Sequence, residues 1–158
     1  MQRIKVNNLN KSRRIKKKAI ERAALRVLKS FGKENTLVDI TFVTDRKIKA
    51  LNKKYMKRNY STDVLAFSFE ENALPGRRRA IGDIYISSDT AHKNAKRFKT
   101  SFKKELTLYT VHGLLHLLGF GDKTRKEKKR IRRTEKRLLE EISRWKLKRK
   151  ESKTWSKA

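Results

Sequence analysis

The chain has 158 residues, 45 of them Lys or Arg against 16 Asp or Glu, for a formal charge of +29 and a pI near 10.8. One domain of this size can bury a sizeable core, and so unbalanced a charge repels itself unless a polyanion lies beside it, nucleic acid first and anionic membrane second. Cysteine is absent, which excludes disulfides and thiolate metal sites; no run approaches the roughly 20 apolar residues of a membrane span, and no signal-peptide core opens the chain, so a cytoplasmic location is expected.

In chain order, Arg3–Val6 alternates and reads as a short strand before the polar Asn7-Asn8-Leu9-Asn10. Ser12 is expected to cap a helix running to about Ser30, with Ile20, Ala24, Val27, Leu28 and Phe31 inward and Gly32 ending it. Leu37–Val43 alternates and is β-branched, hence a strand; Asp45 is expected to cap a helix through about Tyr55. Val64–Phe69 reads as the next strand, Pro75-Gly76 as a turn, and Gly82–Ser87 as a fourth strand. Ser88 or Asp89 then begins a basic helix to about Lys99, in which His92 is expected to be exposed and without a role.

Ser101–Leu118 is apolar on nearly every side and reads as a central, buried helix. A last helix begins near Thr124 with Ile131, Leu138, Ile142 and Trp145 as its core stripe; its charged faces are either solvated or RNA-binding. The expected architecture is α+β, a mixed sheet of about four strands with about five helices. One domain is expected over 1–145, followed by a basic tail over 146–158 that frays.

The central helix carries the chemistry. His112 and His116 are four residues apart, so their rings stack on one helix face, the spacing of two facial metal ligands. Gly119 allows the chain to turn, and Asp122 returns a carboxylate as a third ligand. Three protein ligands leave a fourth tetrahedral position open, the pattern of a catalytic zinc, one ion per chain. Packed histidines satisfied by backbone carbonyls are the alternative. A metalloprotease would place Glu directly after the first His; Gly113 stands there, which argues against peptide hydrolysis. Glu105, seven residues before His112 on the same face, either orients a ligating imidazole or is an exposed acid of the first helical turn.

Three blocks resemble the YbeY family of bacterial endoribonucleases. His112–Gly119 matches its His-Gly-x-Leu-His-Leu-x-Gly run without a gap. Tyr55–Phe67 is similar to its Tyr-Arg-x-x-Asp-x-x-Thr-Asp-Val-Leu-Ser-Phe, and Gly82–Ser87 to its Gly-Asp-Ile-x-Ile-Ser strand. The resemblance implies a metal-dependent endoribonuclease acting on single strands in 16S ribosomal RNA maturation and ribosome quality control. Its partners would be ribosomal RNA and the small ribosomal subunit, with no membrane and no preference for DNA. The other reading is a non-catalytic basic RNA- or ribosome-binding module braced by a structural metal. Two positions depart from the pattern. Gly121 and Asp122 stand where the family has Asp and a third His, and Met56 stands where it has an Arg implicated in activity. Arg58 is the nearest guanidinium; it either takes that catalytic role or is one more surface cation. Lys57, Arg77, Arg78 and Arg79, loop residues near these blocks, form the expected RNA-binding patch.

Overall fold

Val38, Ile40 and Phe42 of strand β2 (Leu37–Val43) point to one face of a sheet and are almost wholly buried, as alternation along a pleated strand requires. The computed structural model describes residues 4–69 and 80–155. Strand β1 (Ile4–Asn8) pairs parallel to β2, and β4 (Ala80–Ser87) pairs parallel to its other edge. Strand β3 (Val64–Ser68) lies antiparallel to β4, so the sheet order is β1-β2-β4-β3. The register aligns Val6, Ile40, Ile84 and Ala66 in one row across all four strands.

That row forms the floor of the main core. Helices α1 (Lys17–Ser30), α3 (Ser88–Arg97), α4 (Phe102–Leu117) and α5 (Arg125–Trp155) contribute apolar side chains to it. Helix α2 (Asp45–Met56) covers part of the opposite face, its Ile48 packing with Val43 and Leu65 of the sheet. Helix α4 packs against α1, α3, α5, β3 and β4, the central place that its all-round apolar sequence predicts. Leu114 and Leu115 are fully buried there, each stabilising the fold by about 1.5–3 kcal/mol.

Several boundaries differ from the sequence reading, each for a local reason. The first helix starts at Lys17, because the Asn8 and Asn10 side chains accept hydrogen bonds from the backbones of Asn10 and Ser12 and fold that segment into turns. Ser12 therefore caps nothing. Thr44 caps α2, its hydroxyl accepting from Lys47 N, and Asp45 is the first helical residue; Ser87 does the same for α3 through Thr90 N. His92 is half-buried, edge-on to Phe102 at 6.1 Å between ring centroids. Helix α5 runs on past Lys146, where the sequence reading begins a basic tail, as far as Trp155. The segment is rich in the helix formers Lys, Arg, Leu and Glu and holds no Gly or Pro, and Arg149 stacks over Trp145 at 5.0 Å. The turn expected at Pro75-Gly76 lies outside the described residues.

Candidate metal centre

Ser101 starts α4 by accepting a hydrogen bond from Lys104 N at 3.1 Å. The helix then presents His112 and His116 on one side, with their Nε2 atoms 2.9 Å apart and each side chain about a quarter exposed. Its end is a Schellman turn. Phe120 N donates to Leu115 O and Gly119 N to His116 O, with Gly119 at φ +95°, a conformation that suits a residue without Cβ. Phe120 then packs edge-on to Phe31 of the helix α1 end, which anchors the turn.

The reversal brings Asp122 Oδ2 to 3.4 Å from His116 Nε2. One ligand atom each from His112, His116 and Asp122 falls within 4.8 Å of the others. Two donors about 2.0–2.1 Å from a tetrahedral zinc stand roughly 3.4 Å apart, so this donor set fits one such ion. Half of the Asp122 side chain is exposed, leaving the centre open on that side. Helix α5 begins just beyond with a capping box: Glu127 accepts from Thr124 N while Thr124 Oγ1 accepts from Glu127 N. A Cβ on Gly121 would meet the Glu127 carboxylate at 2.8 Å, so a side chain there competes with this cap.

The other nitrogen of His112, Nδ1, hydrogen-bonds Glu135 of α5, a carboxylate only 13% exposed. With Glu135 accepting from Nδ1–H, the lone pair of His112 lies on Nε2, toward His116 and Asp122. Burial opposes protonation of His112. The Glu135 hydrogen bond and charge outweigh it, Asp63 and Asp122 add to them, and the pKa lies above the ordinary imidazole value. A metal therefore competes with a proton at this residue.

The structure gives to Glu135 the orienting place that the sequence offered to Glu105. Glu105 is 6% exposed, so it is not a surface acid either; Thr100 Oγ1 donates to it at 2.6 Å. Glu135 left a trace in the sequence: it falls at helical spacing between Ile131 and Leu138, a carboxylate on a stripe that faces the core. Arg58 and Lys57 are exposed in the loop after α2, where Lys57 adopts φ 55° and Arg58 N donates to Asn52 O. Among the described residues, no hydrogen bond or ion pair joins Arg58 to the three ligands. The same loop ends at Asp63 and Val64, beside His112 and Gly113. Arg77, Arg78 and Arg79 lie outside the described residues.

Gly113 is where the helix touches the sheet. A Cβ there would lie 2.8 Å from Ile84 Cγ2 and 3.2 Å from Val64 Cγ2. The packing that seats α4 leaves no room for a carboxylate after the first histidine, so the metalloprotease arrangement is closed to this scaffold.

A mixed sheet that buries one helix, with two imidazoles and a carboxylate converging at the end of that helix, defines an α+β protein with a candidate mononuclear metal centre. The family model described as Endoribonuclease YbeY matches residues 5–143, and the chain belongs to that family. It is 34% identical over 125 residues to Endoribonuclease YbeY of Parabacteroides distasonis, covering 79% of this chain and 84% of that protein. The corresponding protein of Aquifex aeolicus is 35% identical over 134 residues, covering 84% and 88%. A solution structure of a Thermotoga maritima protein superposes with a TM-score of 0.61 at 28% identity, over 92% of this chain and 93% of that one.

Proposed function

We propose that this chain is a zinc-dependent endoribonuclease that cuts single-stranded RNA, acting on 16S ribosomal RNA at the small ribosomal subunit in maturation and quality control, in the cytoplasm. The observation that carries this reading is the convergence of His112, His116 and Asp122 on one open point. The name of the family and of its relatives supplies the reaction class, and the +29 charge fits a polyanionic substrate. No helix among the described residues is long and apolar enough to cross a membrane.

His112, His116 and Asp122 would hold the ion, and Glu135 would fix the ring of His112. A bound zinc ion would supply positive charge to a phosphoryl oxygen and acidify a water molecule. Phosphodiester cleavage suits a site with glycine at position 113. The scissile group needs its charge neutralised, whereas an amide leaving group needs a placed acid. The carboxylate of Asp122, in place of a third imidazole, lowers the net positive charge of the centre. Cations of the exposed loop after α2, Lys57 and Arg58, are in chain continuity with Asp63 beside His112 and are assigned to the approaching phosphate.

The test is metal content measured together with cleavage of a structured ribosomal RNA, wild type against His116→Ala. Loss of both in the variant supports the enzyme. Metal bound by the wild type together with RNA binding but no cleavage would return the protein to a binding module with a structural metal.

A further inference from the structure

The last turns of α5 meet the start of α4 and a flank of α1 around a cleft of about 250 Å³, lined by Arg22, Lys103, Trp145, Lys146 and Arg149 among others. No carboxylate lines it among the described residues. Arg22, Lys103 and Lys146 form no ion pair with a carboxylate among those residues. Lys146 is half-buried, and both burial and the charge of Lys103 lower its pKa. Two lysines that repel each other in a cleft also lined by an indole and by no acid make a local field that an anion relieves. The cleft does not stand alone. It shares Lys103 and Lys146 with a second depression along the α4–α5 seam, and that one shares Leu139 and Ser143 with a third that reaches Glu135. Three depressions that share lining residues thus follow the α4–α5 seam from the Trp145 cleft to Glu135, the last of them lined by Glu140 as well. The family match ends at residue 143, so Trp145, Lys146 and Arg149 lie beyond the matched residues.

We infer that this cleft is an anchoring subsite for the sugar-phosphate backbone of single-stranded RNA, remote from the cut, with Lys103, Lys146 and Arg22 on the phosphates and Trp145 as the apolar wall. The inference rests on the endoribonuclease reading and adds to it a second point of attachment. Lys103 precedes His112 by nine residues on α4, about 14 Å along the helix at ~1.5 Å per residue. At the stacked rise of about 3.4 Å per nucleotide that distance corresponds to about four nucleotides, and to fewer where the strand is extended.

The experiment uses the full chain and two single-stranded RNAs, one of about twelve nucleotides and one of about two, too short to span the distance. Trp155→Phe leaves Trp145 as the one tryptophan of the chain, so its fluorescence reports on the cleft. The longer RNA should quench it and the shorter RNA, held at the metal centre, should not. Lys103→Gln with Lys146→Gln should reduce the salt slope of the longer RNA's affinity by about 1.4. Its affinity should fall roughly 25-fold in 0.1 M salt, as expected for two lost phosphate contacts at about 0.7 each. Binding of the short RNA and single-turnover cleavage at saturating protein should not change, which separates this subsite from the cutting centre. Lys103→Arg with Lys146→Arg should restore the slope. Unchanged affinity and slope in the Gln pair, with folding verified by its melting curve, would overturn the subsite even if cleavage is intact. So would full RNA affinity in the Gln pair combined with lost binding to anionic phosphatidylserine vesicles, which would make the face a membrane contact.

Discussion

The carboxylate of Glu135 on α5 holds Nδ1 of His112 on α4, a pairing across 23 residues of sequence and two helices. It selects the tautomer whose lone pair lies on Nε2 and turns that nitrogen toward His116. Glu135→Ala should weaken metal binding by about 10–100-fold, the usual cost of losing a carboxylate behind a ligating histidine. Glu135→Gln, which keeps an oxygen acceptor, should lose less. Competition against a chromophoric chelator measures both, and equal affinity in wild type and Glu135→Ala would mean that the ring needs no such support.

Asp122 differs from the two histidines because half its side chain is in solvent and it is held by a turn rather than a helix. Removing it in Asp122→Ala takes away a direct donor and should cost more metal affinity than Glu135→Ala. Asp122→His supplies a third imidazole at the same chain position and should recover binding. The same chelator titration decides; an Asp122→Ala protein that binds metal as tightly as wild type would remove Asp122 from the centre.

Gly113→Ala puts a methyl group 2.8 Å from Ile84 Cγ2 in a wall of the core that cannot swing away. It should destabilise the fold by about 1–3 kcal/mol, the range for an extra methyl in a packed interior. Combining it with Ile84→Ala should cost less than the sum of the two single changes, since the cavity accepts the methyl. Urea unfolding of the four proteins of the cycle gives the coupling, and strict additivity would show that the two residues do not press on each other.

Much of this arrangement could be read from the residues alone, because it depends on patterns within a few turns. The all-round apolar run of α4 placed it at the centre, His112 and His116 announced each other by spacing, and Gly119 marked the reversal that returns Asp122. The reading failed where a partner comes from elsewhere in the fold. Glu105 and Glu135 are both acids on inward-facing stripes, and only the crossing of α4 and α5 decides which one reaches His112. Ser12 looked like a helix cap because nothing local shows that Asn8 and Asn10 take the neighbouring amides first. The reason for glycine at 113 was likewise invisible, since its neighbour Ile84 is on a different strand.

Asp45 ties the start of α2 to α3, accepting hydrogen bonds from Ser87, Thr90 and Lys93. Burial alone would raise its pKa; the hydrogen bonds from Lys93, Ser87 and Thr90, with the Lys93 charge, outweigh it and bring the pKa to about 2 from 3.8. A carboxylate with a depressed folded-state pKa stabilises the protein fully above its unfolded value, and that contribution disappears as pH falls from about 3.8 through about 2. Its size is at most about 2.5 kcal/mol, given about 1.4 kcal/mol per pKa unit, and solvent around the exposed Lys93 ammonium reduces it. Asp45→Asn should therefore lose up to that amount of stability at pH 7, and the gap to wild type should close between pH 4 and pH 2. Denaturant melts across that range test it; a gap independent of pH would show that the side chain acts by shape rather than charge.

Arg58 is exposed on a loop that leads to Asp63 beside His112, two residues from the position where the family carries an arginine and this chain carries Met56. If Arg58 meets the scissile phosphate only as charge develops, Arg58→Ala should lower the single-turnover cleavage rate well beyond its effect on RNA affinity. If it is an ordinary surface cation, the change should remove about 0.7 from the salt slope and leave turnover alone. The loop conformation bears on the choice. Lys57 takes a left-handed turn immediately before Arg58, which sends the chain away from the axis of α2 and separates the directions of Met56 and Arg58. The expected outcome is thus asymmetric: Met56→Arg, at the end of the helix, should raise the rate, while Arg58→Ala should reduce it less than tenfold, under about 1.4 kcal/mol of transition-state binding. Rates at saturating protein decide between them. A fall of a hundredfold or more in Arg58→Ala, with no gain from Met56→Arg, would place the catalytic guanidinium on the loop rather than at the helix end.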